Sequence, residues 1–314
     1  MSLKKVAISV GDLNGIGIQL ALENHHSVSK IVEPLYCIDK NMLAQAAKKL
    51  DLTIPNDFHT LEDISPSFEI EAGKVSQESG AYAYASFVKA VTLAKENKVA
   101  AICTLPIHKK AWELAGVNYK GHTDALRDFF KAEAIMMLGC EKMYVALFTE
   151  HIPLKEVAES ITEKDLTRFL MDFYKTAKPT STVAVLGLNP HAGDDGVLGD
   201  EETMITAAIK NANAELSFNI QNSTSNIFEG PLVPDVAFTP NVRKNYSHYI
   251  AMYHDQGLAP LKALYFDEGI NVSLNLPILR TSVDHGTAFD IAYKHRKLNA
   301  LSYLNAIRYI KENL

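Results

Sequence analysis

The sequence predicts an α/β protein with a mostly parallel core, and three observations carry that expectation. Short apolar runs rich in β-branched residues alternate with longer amphipathic stretches, the pattern of strands crossed over by helices. The chain has 314 residues, enough for two domains at roughly 150 residues each. Its composition is 47% hydrophobic and 22% charged, which suits a buried core and excludes a disordered chain.

In chain order, buried strands are expected at Lys5–Val10, Pro34–Ile38, Val99–Thr104, Met143–Phe148, Thr182–Leu188, Val236–Thr239 and Tyr249–Tyr253, each short and bounded by turn formers. Between them, Glu78–Asn97 reads as a helix behind a Ser76 cap, with Tyr84, Phe87, Val88 and Val91 along one side. Leu154–Ala177 places Val157, Ile161, Leu166, Phe169, Leu170 and Phe173 near helical spacing. The tail repeats the pattern with Leu304, Ile307, Ile310 and Leu314. No Pro/Gly/Ser linker marks a boundary, so two domains are expected to interleave, with a site in the cleft between them.

The balance of charge excludes several functions. With 31 Lys and Arg against 37 Asp and Glu, the net charge is −6, and no basic block offers a nucleic-acid face. No apolar run reaches the ~20 residues of a membrane span, and the N-terminal Val6–Val10 stretch is too short for a signal peptide. Cys37, Cys103 and Cys140 form no C-x-x-C pair, so a thiolate zinc site or a disulfide scaffold is disfavoured. A cytoplasmic protein with reduced thiols is expected.

Chemistry-bearing residues cluster just after strands, where open α/β sheets bind ligands. Gly11-Asp12-Leu13-Asn14-Gly15-Ile16-Gly17 reads either as an anion-cradling loop opening a helix or as a tight turn. Thr123 reads as a cap for a helix starting at Asp124, with His122 beside it. His151, His191 and His254 each follow a strand, and three imidazoles at successive strand ends suit a divalent metal with one position open to substrate. Asp255 is placed to orient His254. His25, His26 and His59 lie in polar contexts and are expected at the surface. Lys262 and Arg280 sit in apolar runs, with Asn271 between them, and need an anionic partner, structural or bound. Asp284-His285-Gly286-Thr287-Ala288 is expected to open a helix whose amides meet a cofactor.

Taken together, these motifs resemble the 4-hydroxythreonine-4-phosphate dehydrogenase family of vitamin B6 biosynthesis, nearly end to end. The most specific stretches are Gly121-His122-Thr123, Gly187-Leu188-Asn189-Pro190-His191-Ala192-Gly193, Met252-Tyr253-His254-Asp255-Gln256-Gly257 and Arg280-Thr281-Ser282-Val283-Asp284-His285-Gly286-Thr287-Ala288. The resemblance implies an isocitrate/isopropylmalate dehydrogenase-like fold of two α/β domains, 1–124 with 280–314 and 125–279, with the active site in the cleft between them. It implies a homodimer whose shared site binds one divalent ion (Zn, Mg or Co) through His151, His191 and His254. By the same matching, His122, Thr123, Lys262, Asn271 and Arg280 bind a small phosphorylated substrate, and Asp235 or Asp255 is the catalytic acid or base. NAD or NADP would meet His285, Gly286 and Thr287, which agrees with the absence of G-x-G-x-x-G.

The implied reaction oxidises 4-phosphohydroxy-L-threonine, and the resulting β-keto acid decarboxylates to 3-amino-2-oxopropyl phosphate. Rival readings are a related dehydrogenase of threonate or erythronate 4-phosphate and a His₃ metallohydrolase. The sequence departs from the family pattern at Leu13 and Asn14, at Ile18-Gln19, at His108 where Asn is usual, and along Phe289-Asp290-Ile291-Ala292-Tyr293-Lys294-His295, where small residues and glycine are common.

Overall fold

The computed structural model describes residues 3–219 and 227–314. The chain divides into two compact units, one of residues 1–132 with 267–314 and one of residues 133–266. The first unit opens with β1 (Lys5–Ser9), α1 (Gly17–Ser29), β2 (Glu33–Cys37), α2 (Lys40–Leu50), α3 (Gln77–Lys95), β3 (Ala101–Thr104), α4 (Lys109–Leu114) and α5 (His122–Phe130). The second contains β4 (Ile135–Cys140), β5 (Met143–Leu147), α6 (Val157–Ser160), α7 (Glu163–Ala177), β6 (Val183–Leu186), α8 (Glu201–Asn219), β7 (Phe228–Leu232), α9 (Pro234–Ala237), α10 (Pro240–Arg243), β8 (His248–Ala251) and α11 (His254–Tyr265). The chain then completes the first unit with β9 (Ile270–Leu274), β10 (Leu279–Val283) and α12 (Leu301–Glu312). Compared with the expected limits of 124 and 280, α5 runs unbroken across residue 124, and β9 pairs antiparallel with β10, so both belong to the first unit.

In the first unit the strands run β2-β1-β3-β10-β9, and in the second β4-β5-β8-β6-β7. Pairing is parallel except at β9–β10 and β4–β5, as expected for a crossover-built core. The apolar core of the first unit packs α3 and Trp112 against Ala7 and Ile102, and that of the second packs Leu258 and Leu261 of α11 against Val145 and Ala251. Gly257 makes the latter contact possible: a Cβ there would lie 2.4 Å from Val145 Cγ1. All three cysteines are buried and form no disulfide. Among the described residues no helix is long and apolar enough to cross a membrane.

Several local expectations hold. Ser76 caps α3 by accepting a hydrogen bond from Ser79 N, and Phe87 and Val91 of its apolar side are buried. Others need correction. The segment Leu154–Ala177 is not one helix: it breaks at Ile161, and Thr162 starts α7 by accepting from Asp165 N, because a local cap outcompetes continuation. Val236–Thr239 is not a strand, since Pro234 opens the short helix α9 there, where its missing N–H costs nothing. Thr123 is not the cap of α5; Gly121 holds that position and His122 begins the helix. Asp284–Ala288 opens no helix but a chain of turns, with left-handed backbone at Ala288 (φ 44°), Tyr293 (φ 56°) and His295 (φ 51°). His26 and His59 are exposed, but His25 is buried, its Nδ1 3.0 Å from the Tyr36 hydroxyl and its Nε2 3.1 Å from Asp57.

Candidate active site

In the first unit a single buried cation organises the polar face of the sheet. Arg280 of β10 lies opposite Ser273 of β9 and Ile102 of β3, so their side chains share one face, joined by Asn271 and Thr104 two residues along each strand. The guanidinium, only 2% exposed, donates to Thr104 Oγ1 at 2.7 Å, Ser273 Oγ at 3.1 Å and Asn271 Oδ1 at 3.4 Å. Its Nε has no partner, and no carboxylate pairs with it among the described residues. Burial pushes its pKa down to about 10. A buried charge held only by neutral oxygens is costly unless an anion completes it.

His122 stands beside this cation. Its ring packs edge-on to Phe87 (4.8 Å between centroids) and Trp112 (5.3 Å), and its Nε2 is buried without a partner. Burial, and secondarily the charge of Arg280, hold its pKa well below the usual imidazole value. The ring is therefore neutral at physiological pH, a fixed dipole with one open nitrogen. Thr123 is buried behind it. Thr104 and Ser273 were not expected as site residues; their signal in the sequence was only a hydroxyl in an apolar strand.

The loops after β1, β3 and β10 interlock at one sheet edge. Asp12 N donates to Pro106 O (2.9 Å), and Ile16 N donates to Thr287 O (3.1 Å). Asp12 is fully buried and accepts from Asn14 N (3.0 Å) and Ser79 Oγ (3.2 Å). Burial outweighs those bonds and raises its pKa to about 6. Tyr293 anchors the first loop: its hydroxyl donates to Leu13 O at 2.7 Å. Around this edge, His108 stacks on Phe289 (4.9 Å, 17°), and the buried His108 Nδ1 and His285 Nε2 both lack partners. The strand order reverses here, with β2 and β3 on opposite sides of β1, the position where open α/β sheets bind nucleotides. His285, Gly286 and the buried Thr287 lie at this edge on turns rather than on a helix.

In the second unit the rim is clamped. Thr149 Oγ1 donates to Met252 O (2.6 Å), Gln256 Nε2 donates to Gly187 O (2.6 Å), and Gly187 N donates to Leu232 O (2.8 Å). These bonds tie the carboxyl ends of β5, β8, β6 and β7 and carry His151 and His254 side by side, their ring centroids 5.5 Å apart. His254 begins α11, and its Nδ1 lies 2.7 Å from Asp255 Oδ1, which orients the ring and leaves Nε2 outward. Asp255 is thereby an orienting carboxylate. Lys262 stands two turns along α11, roughly 12 Å from His254 at 1.5 Å per residue.

His191 occupies a strained segment. Five consecutive residues, His191 to Asp195, have left-handed backbone, with φ between 45° and 81°. Left-handed geometry costs roughly 1–2 kcal/mol per non-glycine residue. Glu202 holds the segment: it accepts from Leu188 N and Asn189 N, both at 2.8 Å, and from Asn189 Nδ2 at 2.9 Å. A Cβ on Gly193 would lie 2.7 Å from the same carboxylate, so glycine is required there. Such strain concentrates at functional sites. The exposed His191 does not join the other two imidazoles: among the described residues no three His, Cys, Asp or Glu side chains form a metal-sized group. Asp235, in α9, is also exposed.

Residues 30–310 match the family model described as pyridoxal phosphate biosynthetic protein PdxA. The chain belongs to this family. It is 58% identical over 98% of its length to a 4-hydroxythreonine-4-phosphate dehydrogenase of Sulfurimonas denitrificans, covering 97% of that protein. It is 51% identical to the enzyme of the same name from Campylobacter fetus, covering 98% of both chains. Among solved structures, it superposes on a putative 4-hydroxythreonine-4-phosphate dehydrogenase from Salmonella typhimurium with a TM-score of 0.82, 31% identity and 99% of each chain covered. These relatives share the fold over the whole chain, with an oxidoreductase activity in their names.

Proposed function

We propose that the chain oxidises 4-phosphohydroxy-L-threonine in pyridoxal phosphate biosynthesis, as an NAD(P)-linked, metal-dependent dehydrogenase. The observation that carries this reading is Arg280, a buried cation whose hydrogen-bond partners are all neutral and whose Nε awaits an acceptor. Such a group suits a phosphate or carboxylate, bound bidentately. Neutral His122 supplies an Nε2 donor beside it, and Asn271 an amide. Thr123 backs His122, and the Lys262 ammonium serves the other anionic end of the substrate. Fixing both ends aligns the secondary alcohol for hydride loss.

His285, Gly286 and Thr287 would hold NAD(P)⁺, which would supply a hydride acceptor, and His151, His191 and His254 would hold a divalent ion, which would supply Lewis-acid chemistry. The facing imidazoles of His151 and His254, one of them oriented by Asp255, suit zinc, cobalt or magnesium in that order of nitrogen preference. A homodimer would complete the set, because His191 stands apart from the other two within one chain. Asp235 accepts the alcohol proton. Loss of hydride and proton leaves a β-keto acid, whose C–C bond to the carboxylate breaks to release CO₂ and 3-amino-2-oxopropyl phosphate. Among the described residues no helix is long and apolar enough to cross a membrane, which accords with a cytoplasmic setting.

The deciding experiment compares initial rates of reduced-nicotinamide formation with 4-phosphohydroxy-L-threonine and with threonate and erythronate 4-phosphates. A kcat/KM favouring the amino acid by about 100-fold or more is expected, since an amine and a hydroxyl are distinguished by charge. Preference for either sugar acid would transfer the chain to that chemistry, and phosphate release without nicotinamide would make it a hydrolase.

A further inference from the structure

The second unit holds a separate basic cavity at the opposite edge of its sheet from the histidines. It is lined by Lys142, Arg243, Lys244, the hydroxyls of Ser181 and Ser247 and several tyrosine rings, and its volume is about 520 Å³, within the range of small-molecule sites. Lys142 immediately precedes β5, Ser247 precedes β8, and Ser181 lies two residues before β6. These three strands are parallel, so the cavity sits at their amino ends while His151, His191 and His254 follow their carboxyl ends. A four-residue strand at about 3.3 Å per residue separates the two edges by roughly 13 Å.

Its charged lining is mainly cationic, with one carboxylate near it: the Tyr246 hydroxyl donates to Glu229. Arg243 and Lys244 make no ion pair among the described residues; the guanidinium only reaches Phe238 O at 3.5 Å. The Ser181 and Ser247 hydroxyls stand 3.1 Å apart, and Ser247 Oγ is 3.0 Å from His248 Nδ1. Burial lowers the His248 pKa to about 4, so this imidazole is neutral and brings no charge. The lining also carries flat aromatic surface: Tyr246 and Tyr265 are half-buried, Tyr246 meets Tyr249 at 6.0 Å, and the Lys142 ammonium lies 5.5 Å from the Tyr265 ring centroid. Lys142, Arg243 and Lys244 with two hydroxyls make a phosphate receptor, and half-buried tyrosine rings add a stacking surface.

We infer that this cavity, formed by Lys142, Arg243, Lys244, the Ser181–Ser247 pair and the tyrosines Tyr246 and Tyr265, binds a phosphorylated planar ring compound at a site separate from catalysis. The shared chemistry is a phosphate monoester on a small aromatic ring system, either a phosphorylated pyridine or a nucleoside monophosphate. The inference does not rest on the substrate proposed above, and its test reads binding rather than turnover.

The test is calorimetric titration of the full chain with pyridoxine 5′-phosphate, AMP and inorganic phosphate, in the parent, in the double variant Arg243→Ala/Lys244→Ala, and in Ser181→Asp. Thermal unfolding of each variant confirms that it is folded. At least one ring phosphate should bind saturably, about 10-fold or more tighter than inorganic phosphate, and each variant should weaken it by about 10-fold or more. The preferred ring identifies the source: the pyridine or the nucleoside. Arg280→Met should retain this binding, and the double variant should keep the parent's rate without added ligand. Affinity unchanged in the double variant, affinity lost in Arg280→Met, inorganic phosphate binding as tightly as either ring compound, or no saturable binding up to about 10 mM would each overturn the inference.

Discussion

The two units offer opposite kinds of site. In the first, buried Arg280, Thr104 and Ser273 and half-buried Asn271 share one sheet face, with His122 of α5 beside them, all within one chain. In the second, His151 and His254 meet near the surface, while His191 is set apart on a strained segment held by Glu202. The difference is between preorganisation and assembly. The cationic pocket has already met its desolvation cost on folding, and its neutral partners leave that cost uncompensated until an anion arrives. The histidines carry little such cost, because exposed imidazoles remain hydrated. Substitutions in the two regions should therefore separate stability from activity in different ways.

The largest effect is expected at Arg280. Arg280→Met should lower kcat/KM by about 1,000-fold, while unfolding free energy in denaturant stays within about 1 kcal/mol of the parent, since a buried ion without a counter-ion contributes little to stability. A destabilisation of several kcal/mol would instead make Arg280 a structural residue. His191→Ala should also abolish turnover and remove bound metal on elemental analysis. Its thermal midpoint should not fall, because alanine relieves nothing that the exposed ring was holding. Near-normal turnover in His191→Ala would remove this residue from the metal set.

How much of this was legible beforehand follows from what each signal measures. The mostly parallel α/β core followed from apolar periodicity, which reports burial directly; strand order and the strands β4, β7, β9 and β10 did not, because pairing is set by contacts distant in sequence. The histidines were found because they punctuate strand ends, and Arg280 because a cation in an apolar run demands a partner. Thr104 and Ser273 were not found: a hydroxyl in a buried strand looks the same whether it holds a guanidinium or a backbone carbonyl. Glu202 was missed because its partners, Leu188 N and Asn189 N, precede it by 14 and 13 residues, a separation set by the fold. Thr123 misled because capping residues are recognised by type, whereas Gly121 caps α5 by backbone alone. The surface placement of His25 failed for the same reason as any composition-based reading: its polar neighbours in sequence are not its neighbours in space, which are Tyr36 and Phe58.

A smaller effect should come from Thr104→Val, which removes the shortest bond to Arg280 without changing volume much. Losing one hydrogen bond to a charged group is worth about 1.5 kcal/mol, so KM should rise about 10-fold with kcat nearly unchanged. An equal loss in kcat alone would mean that Thr104 acts on the reacting centre and not through the guanidinium.

Subtler still is the pH dependence of stability at Asp12. The folded carboxyl keeps its proton up to about pH 6, against an ordinary value of 3.8. Ionisation is thus disfavoured by the fold, so stability is greatest below pH 3.8 and declines as pH rises through 6. The full penalty is about 3 kcal/mol at neutral pH. Asp12→Asn, which keeps an acceptor for Asn14 N, carries no such penalty. The stability difference between variant and parent should therefore grow by about that amount between pH 4 and 7, measured by denaturant titration. A constant difference across that window would show that Asp12 is ionised throughout.

The most direct test of the account is the rate of reduced-nicotinamide formation from 4-phosphohydroxy-L-threonine before and after removal of metal by a chelator. The account predicts loss of turnover in the metal-free protein and recovery on adding back zinc, cobalt or magnesium. Full turnover in protein shown by elemental analysis to be metal-free would contradict it.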